Sequence, residues 1–365
     1  MYTYERPEWP HFIWQHAQLE PLLGAVRHQQ GQVLGRMQAL GFSVQAQATL
    51  HTLTLDVLKS SEIEGEVLPA DQVRSSLARR LGLDAGGLVS AERRVEGVVE
   101  MLLDATQEFG HPLTAERLWG WQAALFPTGR SGLQRIAVGA WRTGRKGPMQ
   151  VVSGAAGRER VHFEAPDAGV VDAEMARFLA WFNGPVALDA VLKAAVAHLW
   201  FVTVHPFEDG NGRLARAVTD LQLTRADGTA QRFYSLSAQI RAERAAYYAQ
   251  LEAAQQGGLD ITAWLEWFLN CLSRALAGTE QTLANVLAKA RFWEQHAPRQ
   301  LNARQHKLLN LLLEGFEGKL TSSKWAAIAK CSQDTASRDI QALLEQQILV
   351  KEAAGGRSTA YRLAN

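Results

Sequence analysis

The sequence predicts a mainly α-helical protein with one β-hairpin. Apolar residues recur at mixed three- and four-residue spacings from Val33 to Val57 and again from Leu188 to Leu199, the pattern of helices that bury one face. The segment from Met149 to Phe163 departs from this pattern, and beyond about residue 290 short helices give way to strands. We therefore expect a helical core, an attached hairpin and a separate C-terminal domain.

Composition limits the class of protein. A chain of 365 residues can form two or three domains. Lys and Arg number 38 against 37 Asp and Glu, so no overall field attracts nucleic acid or an anionic membrane. The two cysteines, Cys271 and Cys331, lie far apart without metal-ligand spacing, and the N-terminus has no charged region followed by an apolar core. These features predict a reduced, cytoplasmic protein.

The sequence predicts a helical N-terminal region at residues 1–110. Within it Ser60 and Glu64 are four residues apart, so on a helix they would share one face, and Gly65 could end that helix. Glu64 could then pair with a guanidinium elsewhere in the chain. A solvated helix end is the alternative interpretation.

Two segments of residues 111–290 have distinct patterns. The strands Gln150 to Val152 and Arg160 to Phe163 flank a loop at 153–158 that contains two glycines, which predicts a hairpin. The longest apolar run, Ala194 to Val204, contains His198 and Thr203 and is shorter than the roughly 20 residues that span a bilayer. We expect a buried helix there and no membrane partner.

The run HPFEDGNGRLAR, from His205 to Arg216, is the most informative part of the chain. Gly210, Asn211 and Gly212 can adopt positive φ angles that turn successive backbone N–H groups towards an anion, and an apolar-periodic stretch that would form a helix follows them. A loop that leads into a helix N-terminus is a phosphate-binding arrangement.

The same run supplies charge and a base. Arg213 and Arg216 are three residues apart, so on a helix both point to one side and could clamp further phosphates. Asp209 offers the hard oxygen that Mg²⁺ prefers. His205 is the only nearby side chain able to take a proton from an attacking hydroxyl near neutral pH.

Residues 291–365 predict a winged helix-turn-helix. Leucines at 308–313 indicate one helix, Thr321 to Lys330 a second and Ser332 to Gln347 a third; strands at 348–350 and 360–363 would flank Gly355 and Gly356. In that geometry the start of the recognition helix and the wing would carry Ser332, Gln333, Thr335, Ser337, Arg338 and Arg357. Because this helix carries little basic charge, docking or dimer packing is favoured over DNA binding, which stays open.

The run from His205 to Arg216 resembles the motif of the Fic family, His-x-Phe-x-Asp/Glu-Gly-Asn-Gly-Arg-x-x-Arg, at every specified position. Family members usually transfer AMP from ATP to a Ser, Thr or Tyr hydroxyl of a target protein, and self-modification is expected too. The resemblance implies that His205 is the general base, that Asp209 holds Mg²⁺ and that the outer phosphates lie on the two arginines. The ATP-binding residues it implies are Gly210, Asn211, Gly212, Arg213, Leu214, Ala215 and Arg216.

Other segments resemble parts of the same family. The hairpin resembles a flap whose edge aligns the target by strand addition, which implies that Gln150, Val151, Val152 and His162 contact it; a plain surface hairpin is the alternative. Gly139 to Arg142 resembles the segment packed under that flap, and Tyr4 to Pro10 resembles a leader of a common subgroup.

Residues 237–251 resemble the nucleoside end of the family's ATP pocket. Glu243 stands where relatives often have Asn, and Tyr247 could line the pocket. Tyr247 and Tyr248 could equally be ordinary core residues.

Ser60, Glu64 and Gly65 resemble the family's inhibitory signature, Ser/Thr-x-x-x-Glu-Gly/Asn. The resemblance implies that Glu64 binds Arg216, excludes the γ-phosphate of ATP and leaves any bound nucleotide wrongly posed for in-line attack. In some relatives this glutamate also positions water to remove AMP from the target.

These features favour an autoinhibited protein adenylyltransferase with a helical Fic-type core at 111–290. One alternative is a Fic enzyme with kinase-like transfer or another nucleotide donor, although an intact clamp for outer phosphates suits expulsion of pyrophosphate. The other is a transcriptional regulator that uses the core as a ligand sensor, which leaves a complete catalytic set unexplained. The sequence names no target and leaves a homodimer open.

Overall fold

The computed structural model describes residues 1–83, 88–154, 158, 160–296, 299–313, 316, 318–352 and 359–364. It divides into two compact units, residues 1–280 and 281–365. Helices dominate both, so the predicted mainly α class is confirmed.

The first unit begins with five helices: α1 (His16–Gln38), α2 (Phe42–Ile63), α3 (Ala70–Arg80), α4 (Arg93–Gln107) and α5 (Ala115–Leu125). The predicted end of α2 is confirmed, because Glu64 caps it and Gly65 follows with a φ angle of 82°. That left-handed conformation costs little for glycine, and it turns the chain away from the helix axis. The turn leaves Glu64 at the very end of α2.

Two hairpins follow. The first pairs β1 (Arg130–Ser131) with β2 (Gln134–Arg135), and the sequence did not predict it. The second pairs β3 (Gln150–Ser153) with β4 (Arg160–Glu164) in antiparallel register and confirms the predicted hairpin. Of the predicted loop at 153–158, residues 155–157 lie outside the described residues. The sheet is two-stranded, so within the described part β3 keeps one unpaired edge.

Six further helices complete the unit: α6 (Val171–Asn183), α7 (Ala190–Val204), α8 (Asn211–Asp227), α9 (Leu236–Ala242), α10 (Arg244–Gln256) and α11 (Thr262–His296), whose last turns belong to the second unit. The buried helix predicted at 194–204 is confirmed within α7. Its polar members have partners: His198 contacts Thr219 and Tyr247, and the Thr203 hydroxyl donates to the carbonyl of Leu199. In the described part of the chain no helix is both long and apolar enough to cross a membrane.

The second unit has the element order predicted for a winged helix-turn-helix. It contains α12 (Ala303–Leu313), α13 (Ser322–Ala329), α14 (Gln333–Glu345), β5 (Leu349–Lys351) and β6 (Tyr361–Leu363). Its own core includes Leu308, Trp325, Ile340 and Ile348. The predicted wing-tip residues Gly355, Gly356 and Arg357 lie outside the described residues.

Helices α4 and α5 cross with almost no space between their backbones at Gly97. A Cβ atom at this position would lie 1.8 Å from the carbonyl oxygen of Ala124, so Gly97→Ala must push the helices apart. Overpacking of this kind costs about 1–3 kcal/mol of unfolding free energy.

Gly120→Ala is the matched control, because Gly120 is exposed in the middle of α5 and has nothing within 4 Å of its ideal Cβ. It should stabilise the helix by about 0.5–1 kcal/mol. Urea denaturation of both variants checks the pair, and equal shifts would contradict the close crossing.

Candidate functional site

The run from His205 to Arg216 comprises a short loop between two buried helices and the first turns of the second helix. Helix α7 ends at Val204, and His205 adopts the left-handed conformation with a φ angle of 51°. The Asn211 side chain then braces the loop from inside, because its Oδ1 accepts from the N–H of Phe207 at 2.9 Å and its Nδ2 donates to the Phe207 carbonyl at 2.8 Å. Asn211 therefore shapes the loop rather than pointing at a ligand.

Two glycines of the run lie where a side chain would clash with a neighbouring residue. Gly210 precedes α8 with a φ angle of 90°, and a Cβ there would lie 3.0 Å from the Phe126 ring. A Cβ on Gly212 would lie 2.3 Å from Oε1 of Glu64. The first turn of α8 thus admits a carboxylate at close range, where helix N–H groups without intrahelical acceptors favour an anion.

His205 is in the base form required for proton abstraction. Its Nδ1 lies 3.1 Å from the Val202 carbonyl oxygen. A carbonyl only accepts, so Nδ1 carries the proton and Nε2 keeps its lone pair. Burial lowers the pKa of His205 to about 4, and the imidazole is neutral near pH 7.

Arg142 ties the segment beneath the hairpin to this loop. Its Nε donates to the carbonyl of His205 at 2.8 Å, and its backbone N–H donates to the carbonyl of Pro206 at 2.8 Å. Its Nη2 donates to Pro166, which follows β4. The buried guanidinium thus joins the base of the hairpin to the histidine.

Asp209 is held from two sides. Its Oδ1 accepts from the N–H of Gly210 at 2.6 Å, and its Oδ2 accepts from the hydroxyl of Ser131 on β1. Within the described residues no three His, Cys, Asp or Glu side chains cluster as a metal site. A single carboxylate fits Mg²⁺, which keeps several waters and takes most other ligands from nucleotide phosphates.

Arg216 is 2% exposed and binds the end of α2. Its Nη2 lies 2.7 Å from Oε1 of Glu64 and 2.9 Å from the carbonyl of Ser60, and its Nε donates to the Ser60 hydroxyl at 2.8 Å. The resemblance to the inhibitory signature implied this contact between Glu64 and Arg216, and the spacing of Ser60 and Glu64 on one helix face accounts for it. Its inhibitory effect stays a prediction.

The other arginine of the run has an acidic partner that the sequence analysis missed. Nη1 of Arg213 lies 2.9 Å from Oε2 of Glu66, and its guanidinium covers the Phe126 ring at 5.1 Å. Arg94 on α4 approaches the other oxygen of Glu66 at 3.7 Å. Glu66 lies two residues after Glu64, and that spacing was the only available signal.

The end of α2 is also fixed from α10. Nε of Arg244 donates to the carbonyl of Ile63 at 2.8 Å, and its guanidinium lies over the Tyr248 ring. The last carbonyls of a helix lack intrahelical donors, so this bond caps α2 immediately before Glu64. Both residues lie in the segment 237–251, for which the sequence did not predict this role.

The two candidates for the nucleoside end have intramolecular partners. Glu243 forms a bidentate pair with Arg274, with both N···O distances at 2.6 Å. Tyr247 is 1% exposed, and its hydroxyl lies 2.8 Å from Nε2 of His198. Of the two alternatives that the sequence left open for Tyr247, the structure places it in the core, whereas Tyr248 is partly exposed.

Among the flap residues, Gln150, Val151 and Val152 lie on β3. Val152 is well exposed, and the Gln150 amide donates to Glu164. The imidazole of His162 instead lies against Glu252 of α10.

These features define a class of site: a helix N-terminus with two buried arginines, one carboxylate and a neutral histidine, which can bind a nucleotide's phosphates beside a base. Comparison with known proteins gives two family matches. Residues 112–223 match the model of the Fic/DOC family, and residues 2–83 match a domain of unknown function, DUF4172.

Named relatives resemble part of this chain. The protein adenylyltransferase Fic of Culex quinquefasciatus is 33% identical over 113 residues, which are 30% of this chain and 21% of the relative. Protein adenylyltransferase fic-1 of Caenorhabditis briggsae is 39% identical over 88 residues, 24% of this chain and 16% of the relative. The match thus spans about a fifth of these relatives or less.

Solved structures share the fold. A Fic family protein from Desulfovibrio desulfuricans aligns with a TM-score of 0.53 over 94% of this chain and 96% of its own, at 20% identity. A Fic domain-containing signaling protein from Bacteroides thetaiotaomicron aligns with a TM-score of 0.51 over 71% of this chain and 98% of its own, also at 20% identity. At this identity the likeness shows a Fic-type fold.

Helices α2 and α8 carry a pair of buried acidic residues, Asp56 and Asp220. Burial first, and next the Asp220 carboxylate, raise the pKa of Asp56 from 3.8 to about 8. A group whose pKa rises on folding stabilises the fold while it is protonated, and this contribution is lost as pH rises through the folded value. The free energy of unfolding should therefore decline as the pH rises from about 4 to about 8.

Asp56→Asn should flatten this decline, because an amide keeps an acceptor for the Ser235 hydroxyl and cannot ionise. Urea denaturation from pH 5 to pH 9 measures the slope. Asp71→Asn, at an exposed position, is the control and should leave it unchanged. An undiminished slope in Asp56→Asn would contradict the assignment.

Proposed function

We propose that this protein is an autoinhibited adenylyltransferase that transfers AMP from ATP to a Ser, Thr or Tyr hydroxyl of a target protein and releases pyrophosphate. One observation carries the proposal: a neutral His205 with its Nε2 lone pair available, joined by a short braced loop to a helix N-terminus that carries two buried arginines. The relatives named protein adenylyltransferase support it at a general level.

The reaction follows from these parts. The target hydroxyl attacks the α-phosphorus of ATP, its proton passes to Nε2 of His205, and the bond between the α-phosphorus and the oxygen bridging to the β-phosphate breaks. Backbone N–H groups at the start of α8 would hold the inner phosphates, while Arg213 and Arg216 would stabilise the departing pyrophosphate. Asp209 would hold Mg²⁺, which neutralises phosphate charge when bound. The free edge of β3 would align the target backbone.

Autoinhibition is supported by where the acidic residues at the end of α2 lie. The Glu64 carboxylate lies against Gly212 and pairs with Arg216, so it takes the place and the charge partner of a phosphate. Glu66 pairs with Arg213 in the same way. Nucleotide phosphates would have to displace carboxylates from both guanidiniums before an aligned complex could form.

For residues 281–365 we propose a docking role. The exposed side of α14 carries Gln333, Asp334, Ser337, Arg338 and Glu345, so one cation stands beside two carboxylates. Phosphate contacts dominate affinity for DNA, and this face would repel them. A transcriptional regulator would bind salt-sensitively to operator DNA, whereas docking predicts no such binding.

Parallel incubation with α-labelled and γ-labelled ATP, followed by mass spectrometry of modified hydroxyls, tests the reaction. Adenylyl transfer labels protein from α-labelled ATP alone and adds the mass of an adenylyl group, which is AMP less one water. Label from γ-labelled ATP alone would show kinase-like chemistry and overturn the proposal.

His205→Ala should lower transfer of AMP to a target protein by about 10²- to 10⁴-fold, the usual contribution of a general base. The Nδ1 bond to Val202 is the only described side-chain hydrogen bond of this residue, so the fold should persist. Label transfer and circular dichroism measure the two effects. Wild-type transfer by the folded variant would show that His205 is not the base.

Glu64→Gly should raise transfer by about tenfold or more, because an aligned γ-phosphate can then reach Arg216. Glu66→Gln should raise it less alone and further in the Glu64→Gly background, since each change frees a different arginine. Autoadenylylation and ATP affinity are the measurements.

Glu62→Gln is the matched control on the same helix end, because Glu62 pairs with Lys59 and Arg241 and not with the motif. It should leave transfer unchanged. Equal activation by all three single variants would point to a loosened helix end instead of freed arginines. A gain in labelling of a target protein that survives His205→Ala would contradict the mechanism.

A further inference from the structure

An irregularity in the β3–β4 hairpin reorients one side chain. Val151 pairs with Phe163, but Val152 pairs with Val161, so His162 is the extra residue of a β-bulge. Bulges bend a strand locally and redirect the side chain of the inserted residue. Here the imidazole of His162 lies between a hydroxyl and a carboxylate, and the proposed transfer mechanism uses neither of these two groups.

The three groups form a serine–histidine–glutamate relay. Nε2 of His162 lies 2.6 Å from Oγ of Ser153, and its Nδ1 lies 2.8 Å from Oε2 of Glu252 on α10. An ionised carboxylate only accepts, so Nδ1 carries a proton; in the neutral imidazole Nε2 then accepts from the Ser153 hydroxyl. This is the arrangement in which a histidine, oriented by a third group, activates a nucleophile.

The carboxylate is itself held in place. Arg160 donates to Oε1 of Glu252 at 2.8 Å. The backbone of His162 is fixed as well, because Gln256 donates to its carbonyl at 2.7 Å. The bond from His162 and the charge of Arg160 lower the pKa of Glu252, which keeps it ionised near neutral pH. Glu252 can therefore stabilise an imidazolium on His162.

Fixing the hairpin to α10 does not account for the serine. The contacts of Arg160 and His162 with Glu252 already join β4 to α10. Ser153 lies on the other strand and is exposed, so its hydroxyl adds little to that attachment and can reach a reagent in solvent. It also ends the strand along which a target would be aligned.

We propose that Ser153 is a self-modification site, whose hydroxyl, activated by His162 and Glu252, takes AMP from ATP. The inference rests on the proposed function and names one acceptor for it. Oγ of Ser153 bonds to the α-phosphorus, the bond from that phosphorus to the oxygen bridging to the β-phosphate breaks, and pyrophosphate leaves. The hydroxyl proton passes to Nε2 of His162, and Glu252 stabilises the resulting imidazolium.

The first experiment tests the nucleophile without ATP. The full-length chain is treated with diisopropyl fluorophosphate, which phosphorylates activated serines, and peptides are mapped by mass spectrometry. Ser153 should react, Ser153→Ala should lose that adduct, and His162→Gln or Glu252→Gln should slow it by about tenfold or more. Ser90, an exposed serine outside the hairpin, is the internal control and should stay unmodified. Reaction at Ser153 no faster than at Ser90 would overturn the inference.

The second experiment maps AMP on the Glu64→Gly variant after incubation with α-labelled ATP. The peptide that contains Ser153 should gain the mass of an adenylyl group, and Ser153→Ala should lose that label alone. AMP on other hydroxyls but never on Ser153 would overturn this inference and leave the proposed function standing. Organophosphate labelling of Ser153 with AMP on no protein at all would overturn both.

Discussion

The buried guanidinium of Arg216 is the constraint on which the site depends. A charge removed from water costs several kcal/mol unless an anion and hydrogen-bond acceptors compensate it. Here Glu64 and Ser60 compensate it; Ser60 lies in the last turn of α2 and Glu64 caps that helix. Any ligand that displaces Glu64 must bring negative charge to the same place, as a phosphate does. The guanidinium is therefore paired with the protein's own carboxylate, and in the proposed function a nucleotide phosphate would replace it.

The surrounding structure makes this competition a local one. Gly212 leaves room for an anion at the first turn of α8, and the Arg244 cap holds the end of α2 in place. Glu64 and Glu66 follow that end within three residues, so a displacement of this short segment would free both arginines together. Because the carboxylates are tethered, the ATP of the proposed reaction would compete against a high effective concentration of anion. Binding of a target or partner would shift this competition in favour of the nucleotide only if the bound state displaced the segment from Glu64 to Glu66.

Sequence patterns predicted the parts of the site that depend on local spacing. The loop from His205 to Arg216, the hairpin and the alignment of Ser60 with Glu64 are all readable from residue types at short separations. Ser131 with Asp209, Glu66 with Arg213 and Arg244 with Ile63 were not, because they are separated by 78, 147 and 181 positions and no motif specifies Ser131, Glu66 or Arg244. Tyr247 is the opposite case, in which the sequence suggested a role that the packing does not support. Its position along the chain suggested the pocket, whereas its packing against His198 and Trp264 places it in the core.

Ser60 gives the closed site a second property. Its carbonyl and hydroxyl accept two bonds from Arg216, and neither depends on Glu64. If the carboxylate leaves while α2 stays in place, the guanidinium keeps its orientation and its remaining N–H groups face the vacated position. Donors fixed before the ligand arrives cost no reorganisation when charge develops on the leaving group, and this is the main source of electrostatic catalysis. The serine and the glutamate of one helix turn thus have separate effects on one arginine: the serine orients it, and the glutamate occupies it.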